Sequence, residues 1–278
     1  MTSLAMPIDV KISPMTDGPQ SSVRDPQAQG FVERRWHWWL SRVGIPLLVA
    51  VVAASVAITV ARMTRGTSST VTPPAPGASV DCSSDKTMFV YGWGPDRPTV
   101  GPSDYTSQPS FNVERENPNY GDERGFFSLK EASYQHAGGW SQSLEVLPGQ
   151  VYLARIYLHN GARDADEYAA VDTHVRLALP NCSGRSLVVR ASVSSTNAFP
   201  ETVWATSVVR SDVPIRVELV PGSVEVETNS TSGPVQLPDR LFAPGGVKLG
   251  NPNVTSGVFR GDYANSAVVT AQFRTVAA

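Results

Sequence analysis

The longest run of apolar positions lies near the start of the chain, from Val43 to Ala61 (VGIPLLVAVVAASVAITVA). It carries no charge and no polar stripe, which separates it from a core helix, one side of which meets polar neighbours. At about 1.5 Å per residue the run reaches roughly 28 Å, close to the hydrocarbon thickness of a bilayer. It reads as a single transmembrane helix. Pro46 falls in the first turn, where a missing N–H costs little. Trp36, Trp38 and Trp39 stand before it as an interfacial aromatic belt. A cleaved secretory signal has an apolar region of about 7 to 15 residues after a short basic start. Here residues 1–42 come first, although small residues at Ser55, Ala57, Thr59 and Ala61 keep cleavage open as the alternative.

Residues 62–80 (RMTRGTSSTVTPPAPGASV) have no hydrophobic period and are rich in Ser, Thr, Pro and Gly. Pro73, Pro74 and Pro76 favour an extended polyproline-like tether of about 3.1 Å per residue. From residue 81 to 278 the pattern is of short strands. The candidates are 87–93, 125–131, 141–146, 151–159, 169–179, 186–194, 202–209, 215–220, 223–227 and 266–276. Turn formers punctuate them: Pro148-Gly149, Asn160-Gly161, Pro180-Asn181, Pro221-Gly222 and Pro244-Gly245-Gly246. In the middle strand Tyr152, Ala154, Ile156 and Leu158 share one face, with Arg155 and His159 on the other, as in a half-buried antiparallel sheet. No long 3.6-residue period occurs, so this part reads as an all-β, immunoglobulin-like antiparallel sandwich.

Flanking charge sets the orientation. Arg34, Arg35 and Arg42 precede the helix and only Arg62 and Arg65 follow it, which favours a cytoplasmic N-terminus. The chain has two cysteines, Cys82 and Cys182, both after the helix. A low even count in one exported segment points to a disulfide in an oxidising compartment, with two free thiols as the alternative. Residues 1–42, polar and poor in aliphatics, read as a disordered cytoplasmic tail. A net charge of -2 with 17% charged residues and no basic run argues against nucleic-acid binding, which needs a dense basic patch.

The segments LEVLPGQVYLARIYLHNGA (144–162), AVDTHVRLALP (170–180) and VELVPGSVEV (217–226) together carry a resemblance. They are similar to the bacterial cell-surface repeat called domain of unknown function eleven. The phrases NPNYGDERGFFSLKEA (117–132), STNAFPETVW (195–204) and LPDRLF (237–242) resemble a longer form from exported proteins of high-GC Gram-positive bacteria. The likeness covers roughly residues 111–273. It implies a cell-envelope location and a sandwich fold, and carries over no catalytic residue. A single copy on a long-headed anchor departs from the usual secreted or arrayed forms. The motifs also make physical sense alone. Pro148 fixes φ and Gly149 permits a positive one, Pro221 and Gly222 repeat the device, and Asn160 caps a strand end through its side chain. Trp204, among Val203, Ala205 and Val208, reads as a core residue, and Asp122-Glu123-Arg124 as an internal ion-pair knot.

Catalytic and metal motifs mostly fail. Ser83 to Lys86 matches S-x-x-K, but without S-D-N or K-T-G partners and on a β framework it reads as chance. The four histidines, His37, His136, His159 and His174, lack zinc spacing; solvent-facing or hydrogen-bonded roles fit them better than a ligand pair. Asp164, Asp166, Glu167 and Asp172 place hard oxygens in one acidic loop. Calcium is therefore the sole cofactor worth weighing, against a simply solvated loop. Sequons at Asn181, Asn229 and Asn253 matter only in a glycosylating host. The function this implies is that of a non-enzymatic, single-pass plasma-membrane protein displaying its domain outside the cell. Its partners would be the bilayer and an envelope protein or glycan, and its contacts structural or adhesive. The alternative is a transmembrane sensor or regulator coupling an exterior ligand to the tail. A third class, a hydrolase using paired carboxylates, needs a deep acidic cleft.

Overall fold

The computed structural model describes Cys82 and residues 89–278. The expected tail (1–42), transmembrane helix (43–61), tether (62–80) and S-x-x-K match (83–86) lie outside the described residues. Among the described residues no helix is long and apolar enough to cross a membrane.

The described part is a mostly-β antiparallel domain without α-helices. Its strands are β1 (Trp93–Gly94), β2 (Phe127–Glu131), β3 (Ser143–Glu145), β4 (Val151–Leu158), β5 (His174–Ala178) and β6 (Gly184–Ser194). They continue with β7 (Thr202–Leu219), β8 (Glu225–Thr228), β9 (Val235–Gln236), β10 (Val247–Lys248) and β11 (Ala267–Ala277). All belong to one hydrogen-bonded network whose main path runs β10-β5-β6-β7-β11-β4-β2. β7 is the pivot. Its first half pairs with β6, from Thr202 opposite Ser194 to Arg210 opposite Ser186, and its last residues, Ile215 to Leu219, pair with β11. The sequence suggests two strands here, split at Asp212-Val213-Pro214. The chain instead continues through that exposed stretch as one strand that changes partner. Proline suits the changeover because it has no N–H to give a ladder.

A second connection closes the path on itself. Leu129 of β2 exchanges backbone hydrogen bonds of 2.8 and 2.9 Å with Ser141. The same segment continues as β3, which pairs in parallel with β7 at Ser143 opposite Val208. Ser207 Oγ on β7 also donates to the Phe127 carbonyl at 3.0 Å. The ring β7-β11-β4-β2-β3 encloses alternate side chains, among them Phe127, Leu129, Ile156, Leu158, Val209, Val269 and Phe273, all at 1% exposure or less. Burial of such side chains, at about 25 cal/mol per Å² of apolar surface, is the main force holding the domain together.

Cys82 and Cys182 form a disulfide, with Cα atoms 5.1 Å apart. The Cys82 N–H also donates to the Ser183 carbonyl at 2.7 Å, pinning the entry of the domain to the β5–β6 turn.

Candidate functional site

Strand β4 carries two different faces. Tyr152, Ala154, Ile156 and Leu158 enter the core as their alternation predicts. The other face does not look at water. Leu153, Tyr157 and His159 on it are only 5%, 1% and 5% exposed. The cover comes from segment 117–142, and its sequence explains the shape. Asn117 Oδ1 accepts the N–H groups of Asn119 (2.9 Å) and Tyr120 (3.2 Å), and Gly121, at φ +66°, closes the turn back onto Asn117. This turn lays the Tyr120 ring on Tyr157, with centroids 3.9 Å apart. Asp122 then accepts the Arg124 N–H at 3.0 Å and starts a 3₁₀ turn, Glu123–Gly125, that sends Glu123 inward.

Arg155 stands at the centre of this covered face. Its guanidinium lies 4.4 Å from the Trp140 ring centroid and 5.0 Å from that of Tyr120. Its Nε donates to Ser128 Oγ at 3.2 Å. Among the described residues no carboxylate pairs with it, and its terminal nitrogens meet no acceptor. Desolvation pushes its pKa down to about 10, so it stays charged at neutral pH. It lines a cavity of about 160 Å³ shared with Tyr120, Ser128, Trp140, Ser141 and Gln142. A second cation, the buried Lys130, also lies against Trp140, 5.7 Å from its ring, and donates to the His136 carbonyl at 2.6 Å. Burial and the neighbouring Arg155 charge both lower the Lys130 pKa. A guanidinium fork with open donors beside a second cation is chemically an anion receptor.

Behind the Tyr120–Tyr157 stack lies a centre of opposite charge. His159 Nδ1 is 3.0 Å from both carboxylate oxygens of Glu123. Glu123 is fully buried; its Oε1 also accepts Asn117 Nδ2 at 2.7 Å and its Oε2 the Glu114 N–H at 3.3 Å. Glu114, 6% exposed, brings a third ligating atom within 4.8 Å of the other two. Burial drives the His159 pKa down, but the Glu123 hydrogen bond and the charges of Glu123, Glu114 and Asp262 outweigh it and leave it raised. Burial and the Glu123 charge raise Glu114.

Of the residues singled out by sequence, Gly149 and Gly222 take the positive φ their turns require, +84° and +69°. Asn160 is a complete cap: Oδ1 accepts from Ser110 and Ala162 N–H, and Nδ2 donates to the Tyr168 and Phe259 carbonyls. Trp204 does not join the core. It sits half-buried on the face opposite Val203 and Ala205, over Arg190 at 4.5 Å and against Gly94, because the pleat that buries its neighbours turns it outward. The Asp122-Glu123-Arg124 knot exists only in part: Arg124 binds Asp122 at 2.7 Å, while Glu123 turns to His159.

The acidic loop is not gathered around a common point. Arg260 binds Asp164 and Asp166 at 2.6 and 2.8 Å, Lys248 binds Asp172 at 2.7 Å, and Glu167 is exposed. One oxygen of each of the three aspartates is taken by a salt bridge, and the four residues are not among the described clusters whose ligand atoms converge. His174 stands across from Ser194 and Lys248, far along the sheet path from His159. A carboxylate pair does form, Glu114 with Glu123, but at 6% and 0% exposure it offers no cleft for a glycosidic bond.

Sequence reasoning assigns Arg155 and His159 to a polar face and passes over Tyr120 and Trp140. The available signal is an arginine set into an apolar strand, YLARIYLH, with more aromatics upstream than a solvated face requires. Comparison with protein-family models, curated proteins and solved structures finds no match to this chain.

Proposed function

We propose that this chain is a single-pass envelope protein whose domain, a sandwich of the immunoglobulin-like cell-surface repeat type, works outside the membrane as a non-enzymatic binding module for carboxylated envelope glycans. The observation that carries this reading is Arg155: a desolvated guanidinium held between two aromatic rings, with open N–H donors on a cavity and no protein carboxylate among the described residues to neutralise it. Desolvating an unpaired charge costs several kcal/mol. A ligand carboxylate entering the cavity offsets that cost with a bidentate pair. At about 160 Å³ the cavity is well under the usual ligand pocket of roughly 300 Å³ or more. It therefore suits one charged group on a larger molecule rather than a whole metabolite. Ser128, Ser141 and Gln142 line it with groups suited to sugar hydroxyls. The apolar run 43–61 supports the anchor, and the Cys82–Cys182 disulfide supports an oxidising exterior. The sandwich reading rests on the coarser feature of a mostly antiparallel β-domain around a buried apolar interior.

Two measurements test it together. Protease shaving of intact cells carrying a C-terminal tag removes the tag if the domain is displayed; a tag that survives until lysis ends the envelope reading. Calorimetric titration of the full chain in detergent with uronate-containing oligosaccharides gives saturable binding that carboxyl-reduced versions of the same sugars do not. Equal affinity for the reduced sugars removes Arg155 from the binding site.

A further inference from the structure

We infer that Glu114, Glu123 and His159 form a site for one divalent first-row transition-metal ion, with zinc the best fit and manganese next. The site is separate from the Arg155 cavity, and nothing in the glycan reading depends on it. Each of the three residues brings one ligand atom, and these atoms lie within 4.8 Å of one another. Metal–ligand bonds of about 2.0–2.2 Å in a tetrahedron set the ligand atoms roughly 3.3–3.6 Å apart. His159 Nδ1 and Glu123 stand at 3.0 Å, so an ion replacing the shared proton needs the two groups to part by only a few tenths of an ångström.

Charge balance is the second argument. Two carboxylates buried at 6% and 0% exposure face one imidazole. With both ionised, even a protonated His159 leaves the group with a negative charge in excess, whereas a divalent ion with neutral imidazole balances it. Glu114 shows where the excess falls. Each Glu123 oxygen has hydrogen-bond donors, yet the carboxylate of Glu114, a residue 6% exposed, accepts no hydrogen bond and forms no ion pair among the described residues. It is an unpartnered oxygen ligand beside the other two.

The surroundings match a metal centre as well. Asn117 Nδ2 and the Glu114 N–H fix the Glu123 carboxylate from outside, the kind of support that orients ligands. One nitrogen and two oxygens suit zinc or manganese. Calcium takes 6–8 oxygens as a rule and magnesium seldom accepts imidazole. With three protein ligands the fourth position falls to water.

The experiment uses the full chain in detergent, stripped with chelator, then given Zn²⁺, Mn²⁺ or Ca²⁺ alone. Zn²⁺ at a hundredfold excess over its Kd raises the melting temperature by roughly 5–10 °C, Mn²⁺ by less and Ca²⁺ not at all. Glu114→Gln, which costs no existing hydrogen bond of the carboxylate, abolishes the rise. Co²⁺ added to the wild-type protein gives visible d–d bands that Zn²⁺ quenches, a readout that stands even where the variant folds poorly. Binding also weakens as pH falls and protons compete for His159 and Glu114. No stabilisation by Zn²⁺ together with no Co²⁺ bands overturns the site. Equal stabilisation of E114Q and wild type shows that the ion binds elsewhere and overturns it too.

Discussion

His159 and Glu123 form a bifurcated contact, Nδ1 to both carboxylate oxygens at 3.0 Å, inside a domain where both are almost wholly sealed from water. The groups facing this imidazole are Glu123, Glu114 and Asp262 by charge, with Tyr157 and Tyr263 against the ring. Despite the burial penalty, these negative neighbours raise the His159 pKa above its ordinary value, and Glu114 is raised as well. In both cases the folded state binds the proton more tightly than the unfolded one, so stability falls as pH rises. For Glu114 the stabilisation is complete below the ordinary carboxylate value and is lost as pH rises through its raised value. For His159 the stabilisation is complete below about pH 6.5 and disappears as pH passes the raised value, each tenfold gain in proton affinity being worth about 1.4 kcal/mol. In chelator, the urea midpoint should therefore drop as pH rises from about 6.5 through the raised His159 value. His159→Gln should flatten that slope. A midpoint that rises over this window contradicts the assignment.

Asn160 is a buried cap whose loss the domain should feel strongly. Its amide satisfies two N–H donors and two carbonyls from Ser110, Ala162, Tyr168 and Phe259 at once, with the residue itself 0% exposed. Truncation leaves the Ser110 and Ala162 N–H groups and the Tyr168 carbonyl short of a partner, each worth about 1–3 kcal/mol when buried, while the Phe259 carbonyl keeps the Ala170 N–H. Asn160→Ala should lower unfolding free energy by about 3 kcal/mol or more. Asn160→Asp, which keeps the acceptor and loses both donors, should fall between. A change under about 1 kcal/mol for the alanine variant would mean that water replaces the amide.

What a strand announces locally decides how far it can be read without the fold. Strands β4, β6, β7 and β11 are legible because their apolar residues alternate and their turns carry Pro-Gly or Asn-Gly signals that dictate geometry locally. Asn160, Gly149 and Gly222 are legible for the same reason. β9 and β10, two residues each, have no periodicity to detect. The continuity of β7 through Pro214 depends on a change of partner, a tertiary fact. Trp204 misleads because apolar neighbours on both sides hide the pleat. The two charged centres are invisible for a deeper reason: Arg155 is joined to Trp140 and Tyr120, and His159 to Glu123, by a turn whose consequence appears only after folding.

The disulfide gives a simple global test. Cys82 and Cys182 are 100 residues apart, so reduction releases a long loop in the unfolded state. In the chain-entropy picture a loop of this size is worth about 4.7 kcal/mol. Thiol reductant, or Cys82→Ser with Cys182→Ser, should lower the unfolding free energy by about 3–5 kcal/mol. An unchanged melting temperature under reductant would show that the bond does not constrain the folded domain.

Arg155 should separate binding from stability. A residue kept for folding loses stability when its side chain is replaced. A desolvated, unneutralised guanidinium is instead a cost that the fold carries, because removing such a charge in favour of an apolar group of similar length is neutral or stabilising. Arg155→Met keeps contact with the Tyr120 and Trp140 rings, forfeits the cation–π energy of roughly 1–2 kcal/mol, and is relieved of the larger desolvation cost. Its melting temperature should match or exceed that of the wild type, while affinity for a uronate oligosaccharide falls at least about a hundredfold. Arg155→Lys should retain the charge but lose the planar fork, and bind at least about tenfold more weakly than wild type. Because the guanidinium is largely desolvated, wild-type affinity should respond less to salt than that of a surface patch. Loss of stability in Arg155→Met with binding intact would return Arg155 to the ranks of structural residues and leave the recognition site to be sought among the loops.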